Sequence, residues 1–138
     1  ITVGSAMIKL EELIAAQGGD VAYIRNLDLL PKAKIHQTIT ATKSGWVKTV
    51  DAKEVGESSV TLGAGRSKKD DKIDFGVGIL VKVKIGDSVA EKQPLFEVHA
   101  NDEEKLNQVL EKLRNAVEIV DEPVDAPPFF WDVIGLNE

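Results

Sequence analysis

Apolar residues recur at helical spacing near the start of the chain. Met7, Leu10, Leu13 and Ile14 fall on one face of a helix predicted over 6–16, with Ser5 as its cap and Gly18-Gly19 as its stop. Asp20 is placed to cap a second, shorter helix over 21–26. Leu29-Leu30-Pro31 closes that helix, because the residue before a proline is held extended. Two short amphipathic helices bury little alone, so their apolar faces read as surface that packs on something further.

From Lys34 the period changes to two. Ile35, Gln37, Ile39 and Ala41 share one face, and His36, Thr38 and Thr40 the other, which marks a strand. Ser44-Gly45 turns the chain into a second strand over 46–50. Asp51-Ala52-Lys53-Glu54 has capping-box spacing and opens a short helix through Val55, Ser59 and Leu62, despite Gly56. Further on, Ile79, Val81, Val83 and Ile85 point inward and alternate with Lys82 and Lys84 in a strand over 79–85. Gly86-Asp87 turns, 88–94 is a connecting arm, and 95–100 is the return strand.

Asn101 and Glu104 make a capping box for the most amphipathic helix of the chain, over 102–116. Leu106, Val109, Leu110, Leu113 and Val117 form its stripe, and Asp102, Glu103 and Glu104 complement the helix dipole. A strand over 117–120 and a Pro-rich bend follow. The chain then runs into an apolar tail, Phe129-Phe130-Trp131 with Val133 and Ile134, which is expected to dock on a body.

Composition narrows the picture. With 138 residues and 43% apolar content there is enough for one core, and with only two Trp, one Tyr and four Phe it must be mostly Val, Ile, Leu and Ala. No apolar run is long enough to span a bilayer, and no basic start with an apolar h-region marks a signal peptide. The absence of cysteine excludes disulfides, thiolate catalysis and Cys-based metal centres, and suits a reducing cytoplasm. The first residues run into a helix without a starting Met, so the chain is expected to be a piece of a longer protein. The net charge of −6 is uneven: residues 1–101 carry net +1 and residues 102–138 net −7. No basic stripe with interleaved aromatics exists, so neither nucleic acid nor membrane is an expected partner. The acidic end reads as a solvated helix face and tail.

The stretch from Leu62 to Asp74 is glycine-rich, then densely charged with alternating sign, the composition of an exposed, mobile loop. Gly63-Ala64-Gly65-Arg66 could cradle an anion, with Arg66 as a fork for phosphate or carboxylate. It is neither a Walker A loop nor a dinucleotide fingerprint, and a tight turn with Arg66 in a structural pair is the alternative. Asp70, Asp71 and Asp74 lie among Lys68, Lys69 and Lys72 and read as a charge-balanced, solvated set rather than paired acid–base carboxylates. His36 and His99 stand alone on their strands, read as structural, and make no metal-ligand pattern. With no nucleophile elbow either, the residues alone show no catalytic centre.

The unit from Val81 to Leu95, with Gly86-Asp87, Val89 and Pro94-Leu95, has the look of a small β-sandwich in the biotinyl/lipoyl style. A carrier would also need a lysine at a tight hairpin tip, whereas Lys72 lies in a charged loop with no flanking Met. A carrier or interaction module of that kind is the alternative reading.

These residues also carry a family resemblance. Ala15-Ala16-Gln17-Gly18-Gly19-Asp20, Leu62-Gly63-Ala64-Gly65-Arg66, Lys72-Ile73-Asp74 followed by Val77-Gly78, and Gly86-Asp87 with Val89, Pro94-Leu95 and Val98-His99 occur in order across nearly the whole chain. In these the chain resembles the C-terminal domain of pyrimidine-nucleoside phosphorylases, the thymidine phosphorylase family. It departs at Glu91-Lys92-Gln93, where the family often has a glycine.

The resemblance implies an α+β fold: a small β-sandwich or barrel-like hybrid of the biotinyl/lipoyl hammerhead kind, with flanking helices. Residues 1–33 are then the helical remnant of a preceding α/β body and 34–138 the β-rich C-terminal domain. It also implies phosphorolysis by the intact enzyme. Phosphate attacks C1′ of a thymidine- or uridine-type nucleoside, giving base and (deoxy)ribose 1-phosphate. The phosphate-loop and base-binding motifs of the family are not in this chain, so no catalytic or substrate-binding residue is carried onto it, and the chain alone is expected to be inert. The expected cleft-facing residues are Gly63, Gly65, Arg66, Ser67 and Lys68. The expected partners are the preceding domains, the nucleoside and phosphate as co-substrate, within a cytoplasmic homodimer that uses neither metal nor cofactor.

Overall fold

The computed structural model describes residues 4–66 and 68–130. The chain divides into two compact units, residues 1–32 and 33–138.

The first unit is helical: α1 is Ser5–Ala16, α2 is Ala22–Arg25, and a 3₁₀ turn, Leu27–Leu29, follows. Ser5 is the first helical residue of α1 rather than its cap. Gly4 occupies the cap position with φ +71°, no side chain caps the helix end, and Met7 and Ile8 bond their N–H groups to the Gly4 carbonyl. Val21, not Asp20, occupies the cap position of α2 and no side chain caps it; Asp20, one residue earlier, accepts from the Ala22 N–H through Oδ1 at 2.8 Å. Arg25 and Glu11 tie α2 to α1 through two hydrogen bonds, at 3.0 and 2.8 Å. The Arg25 hydrogen bond and charge hold the Glu11 carboxyl below the usual carboxylate range. Met7, Leu10 and Leu13 remain exposed, as expected of a face that packs on nothing within its own unit.

The second unit is α+β. Its strands are β1 (Ile35–Thr40), β2 (Gly45–Val50), β3 (Gly78–Val81), β4 (Ser88–Val89), β5 (Pro94–Ala100) and β6 (Val117–Val120), with helices α3 (Ala52–Leu62) and α4 (Glu103–Asn115). They form two three-stranded antiparallel sheets, in the orders β1-β5-β3 and β4-β2-β6. Consecutive strands β1 and β2 therefore part into different sheets. The arm over 88–94 contains a strand, because Ser88 and Val89 pair with Trp46 and Gly45. The strand expected over 79–85 ends at Val81; Lys82 still donates to the Leu95 carbonyl at 2.9 Å, and Val83 turns into the core.

One core joins these layers. Phe96 and Val98 from β5, Val47 from β2 and Val109 and Leu113 from α4 are fully buried, with Leu62 of α3 and Leu106 beside them. Leu110 is only partly buried at its margin, and Val117 belongs to β6 rather than to the helical stripe. Lys92 takes a left-handed φ of +68° in the turn over 90–93, at the place where the resembling family often has a glycine. That conformation costs an L-residue roughly 1–2 kcal/mol.

Candidate functional site

The glycine-rich loop begins where α3 ends. Asp51 caps the start of α3, its Oδ1 accepting from Lys53 and Glu54 N–H groups at 2.9 and 3.1 Å. At the other end Gly63 has φ +112°, a left-handed conformation that lets the chain leave the helix without steric cost. Gly65 answers to a different constraint: a Cβ there would come within 2.8 Å of Val60 Cγ2, so only glycine fits so close to the last turn. Arg66 follows, exposed, and no carboxylate pairs with it among the described residues. Lys68 is exposed, with its N–H on Asp71 Oδ2 at 2.8 Å. Ser67 lies outside the described residues.

The far end of the loop is pinned. Asp74 N–H bonds the Gly63 carbonyl at 2.9 Å, which closes the loop on itself. The Asp74 carboxylate accepts from the Gly76 N–H at 2.9 Å and from Asn101 Nδ2 at 2.7 Å. Asp74 is thus no member of a solvated, charge-balanced set; it is half-buried and fully engaged. The Asn101 hydrogen bond, then that of Gly76, and the nearby Lys105 and Lys34 charges hold its carboxyl below the usual range.

That engagement also moves the helix cap. Asn101 spends its Oδ1 on the Lys34 N–H, at 2.8 Å, and its Nδ2 on Asp74. Asp102 caps α4 instead, with Oδ1 accepting from the Lys105 N–H at 3.0 Å. Lys105 then stands where Glu104 was expected to complete a capping box.

A polar recess of about 340 Å³ lies under the loop, lined by Gly63, Gly65, Asp71, Lys72 and Lys105 among others. Its lining brings two lysines, Lys72 and Lys105, together with one carboxylate residue, Asp71, so its charge is mixed. The Lys105 ammonium lies 4.0 Å from where a Gly63 Cβ would stand. Sequence reading missed Lys105 because it sits on the polar face of α4, and only the packing of α4 on α3 brings it here. The only trace of it in the sequence is its place in the first turn of that helix.

His36 and His99 do not stand alone. They are directly opposed across β1 and β5, with ring centroids 4.3 Å apart, and His36 Nε2 lies 3.2 Å from the Ala33 carbonyl oxygen. Among the described residues no three His, Cys, Asp or Glu side chains gather as a metal centre would need. No described helix is long and apolar enough to cross a membrane.

Comparison with known proteins bears on this arrangement. The pyrimidine nucleoside phosphorylase C-terminal domain family matches residues 46–120, from β2 through β6 and so across the loop and its pin. A pyrimidine-nucleoside phosphorylase of Geobacillus stearothermophilus is 35% identical over 132 residues, 96% of this chain and 30% of its own length. That of Staphylococcus haemolyticus (strain JCSC1435) is 40% identical over 84% of this chain and 27% of its own length. That of Staphylococcus aureus (strain USA300) is 38% identical over 90% of this chain and 28% of its own length. The chain spans under a third of the length of these curated relatives. With the family match running through both sheets, α3, the loop and α4, the chain belongs to the pyrimidine nucleoside phosphorylase C-terminal domain family.

Proposed function

We propose that the intact protein is a pyrimidine-nucleoside phosphorylase, a glycosyltransferase, and that this chain is its C-terminal domain on the closing side of the substrate cleft. In the reaction, phosphate oxygen bonds to C1′ of a thymidine- or uridine-type nucleoside as the C1′–N bond breaks. The electron pair of that bond leaves with the base, which takes up a proton, and (deoxy)ribose 1-phosphate remains. Such a reaction needs cationic donors around phosphate and the leaving base, held in place before the sugar develops positive charge. It needs no redox group, and phosphate is its co-substrate.

The observation that carries the reading is the 35% identity to the Geobacillus stearothermophilus phosphorylase along 96% of this chain. Within the chain, the loop supports a closing role rather than a catalytic one. It offers exposed Arg66 and Lys68 on a base fixed by Gly63 and Asp74, and among its described residues no nucleophile is paired with a base. In this reading Gly63, Gly65, Arg66, Ser67 and Lys68 face the cleft, and Arg66 clasps the facing domain or an anion when the cleft closes. The paired sheets around the Gly86-Asp87 turn are in this reading a biotinyl/lipoyl-type hammerhead, used as scaffold and not as carrier. The preceding domains, a homodimer and a cytoplasmic setting complete the picture.

Arg66→Ala in the intact protein tests it. Turnover should fall, or KM rise, by about tenfold, the loss of an interaction of about 1.4 kcal/mol. The circular dichroism spectrum should not change. Unaltered kinetics with both thymidine and uridine would make the loop plain surface, and an unfolded variant would make Arg66 structural.

A further inference from the structure

His36 and His99 are the only histidines of the chain, and the fold brings them together. The register pairs them directly across β1 and β5, and Gly78 of β3 is the next partner of His99 in the same row. Directly paired residues share a face of a sheet, so the two imidazoles and the gap left by Gly78 lie side by side. The face is open there: His36 is exposed, His99 is half-buried, and no heavy atom lies within 4 Å of a Cβ built on Gly78. A recess of about 260 Å³ adjoins the pair, lined by His99, Gly78 and Leu80 among others.

The ring nitrogens of the pair are engaged unequally. His36 Nε2 lies 3.2 Å from the Ala33 carbonyl oxygen. A carbonyl oxygen only accepts, so Nε2 donates its proton and Nδ1 keeps its lone pair. A metal-bound histidine is oriented by the same kind of outer contact, its other ring N–H resting on a backbone carbonyl or a carboxylate. The peptide group that supplies the carbonyl is itself held, because its N–H, that of Lys34, donates to Asn101 Oδ1 at 2.8 Å. Among the described residues no hydrogen bond engages the His99 ring. Glu97, two residues along the same face of β5, is occupied by the Lys82 ammonium at 2.9 Å, which leaves the imidazoles as the donors of this patch.

We propose that His36 and His99 form a two-imidazole site for an exchangeable divalent transition-metal ion of the late first row, copper(II) ahead of nickel and zinc. The donor set selects the class, since imidazole suits copper, nickel, zinc and iron, whereas calcium and magnesium require oxygen. Spacing selects within the class. With metal–nitrogen bonds of about 2.0 Å, two imidazoles bound at a right angle set their ring centroids about 4.5 Å apart, and at the tetrahedral angle about 5.2 Å. The rings stand 4.3 Å apart, on the right-angle side, which is the geometry of square-planar and tetragonal centres. Water from the open face completes the coordination. Two protein ligands fall short of the three or four of a resident centre, which is why the ion exchanges. While bound, it clamps β1 to β5 beside Asn101.

The test uses Cu²⁺ alone as the probe, one equivalent added to the whole chain labelled with ¹⁵N-histidine, so that the label reports these two rings and nothing else. Pulsed EPR should show two labelled imidazoles bound equatorially to one copper, and the metal should leave the sedimentation coefficient unchanged. In calorimetric titration His36→Gln and His99→Gln should each weaken Cu²⁺ binding by about tenfold or more. One labelled imidazole or none per copper in the unaltered chain overturns the proposal, and that readout holds whether or not the variants fold. Binding that both variants leave within about twofold of the unaltered chain overturns it as well, since the copper then sits elsewhere, as on the terminal amine. A larger sedimenting species formed on adding copper would mean histidines of two copies bridged by the metal, and overturns it too.

Discussion

Asn101 Nδ2 donates to Asp74 Oδ2 at 2.7 Å while Asn101 Oδ1 accepts the Lys34 N–H at 2.8 Å. One side-chain amide therefore joins three stretches far apart in sequence: the entry to β1, the end of the glycine-rich loop and the corner between β5 and α4. Asp74 passes the connection on, through its own N–H, to Gly63 at the loop's other end.

Removing the amide should loosen all three. Asn101→Ala is expected to lower stability by about 0.5–1.5 kcal/mol for the Lys34 hydrogen bond alone. Amide hydrogen exchange should accelerate at Lys34 and Gly76. Exchange rates unchanged at both would mean that the node holds nothing together.

The same node sets an acid limit. The Asp74 carboxyl is held below its ordinary value, chiefly by the Asn101 hydrogen bond. A carboxyl with a depressed folded-state pKa contributes stability that is complete above its unfolded value and is lost as pH falls through the folded one. Unfolding free energy should thus decline from the ordinary Asp range downward. Asp74→Asn should flatten that decline while lowering stability at neutral pH. Urea titrations of both proteins from neutral to acid pH check it; parallel pH profiles would remove Asp74 from the account.

Burial also ranks the stripe of α4. Leu113 is fully buried and Leu110 only partly. Leu113→Ala should cost about 2–5 kcal/mol, and Leu110→Ala distinctly less, because less surface returns to water and the site can relax. Equal losses in denaturant unfolding would contradict the packing of α4 described here.

How much of this is legible in the sequence depends on how local its cause is. The spans of β1, β5 and α4 follow from periodic apolar positions, and the Asp51 cap from its spacing to Glu54. Pairing is another matter. That β2 joins β4 and β6 rather than β1 depends on contacts across the fold. Asn101 and Asp102 are both good caps by residue type, and only the partners waiting at Lys34 and Asp74 decide between them. The His36–His99 contact is fixed by the register of β1 on β5, which no local pattern encodes. At the candidate site the glycines are legible because local backbone geometry demands them. Lys105 is not, since it reaches the recess only when α4 packs on α3.

The central claim is that this chain completes a pyrimidine-nucleoside phosphorylase without carrying its catalytic groups. The direct measurement grafts residues 1–138 in place of the matching 30% of the Geobacillus stearothermophilus relative. Release of thymine from thymidine, or of uracil from uridine, is then followed with and without phosphate. The chimera should release base only when phosphate is present, and the chain alone should release none. Base release by the chain alone, or a chimera that folds like the relative yet releases nothing, would contradict the account.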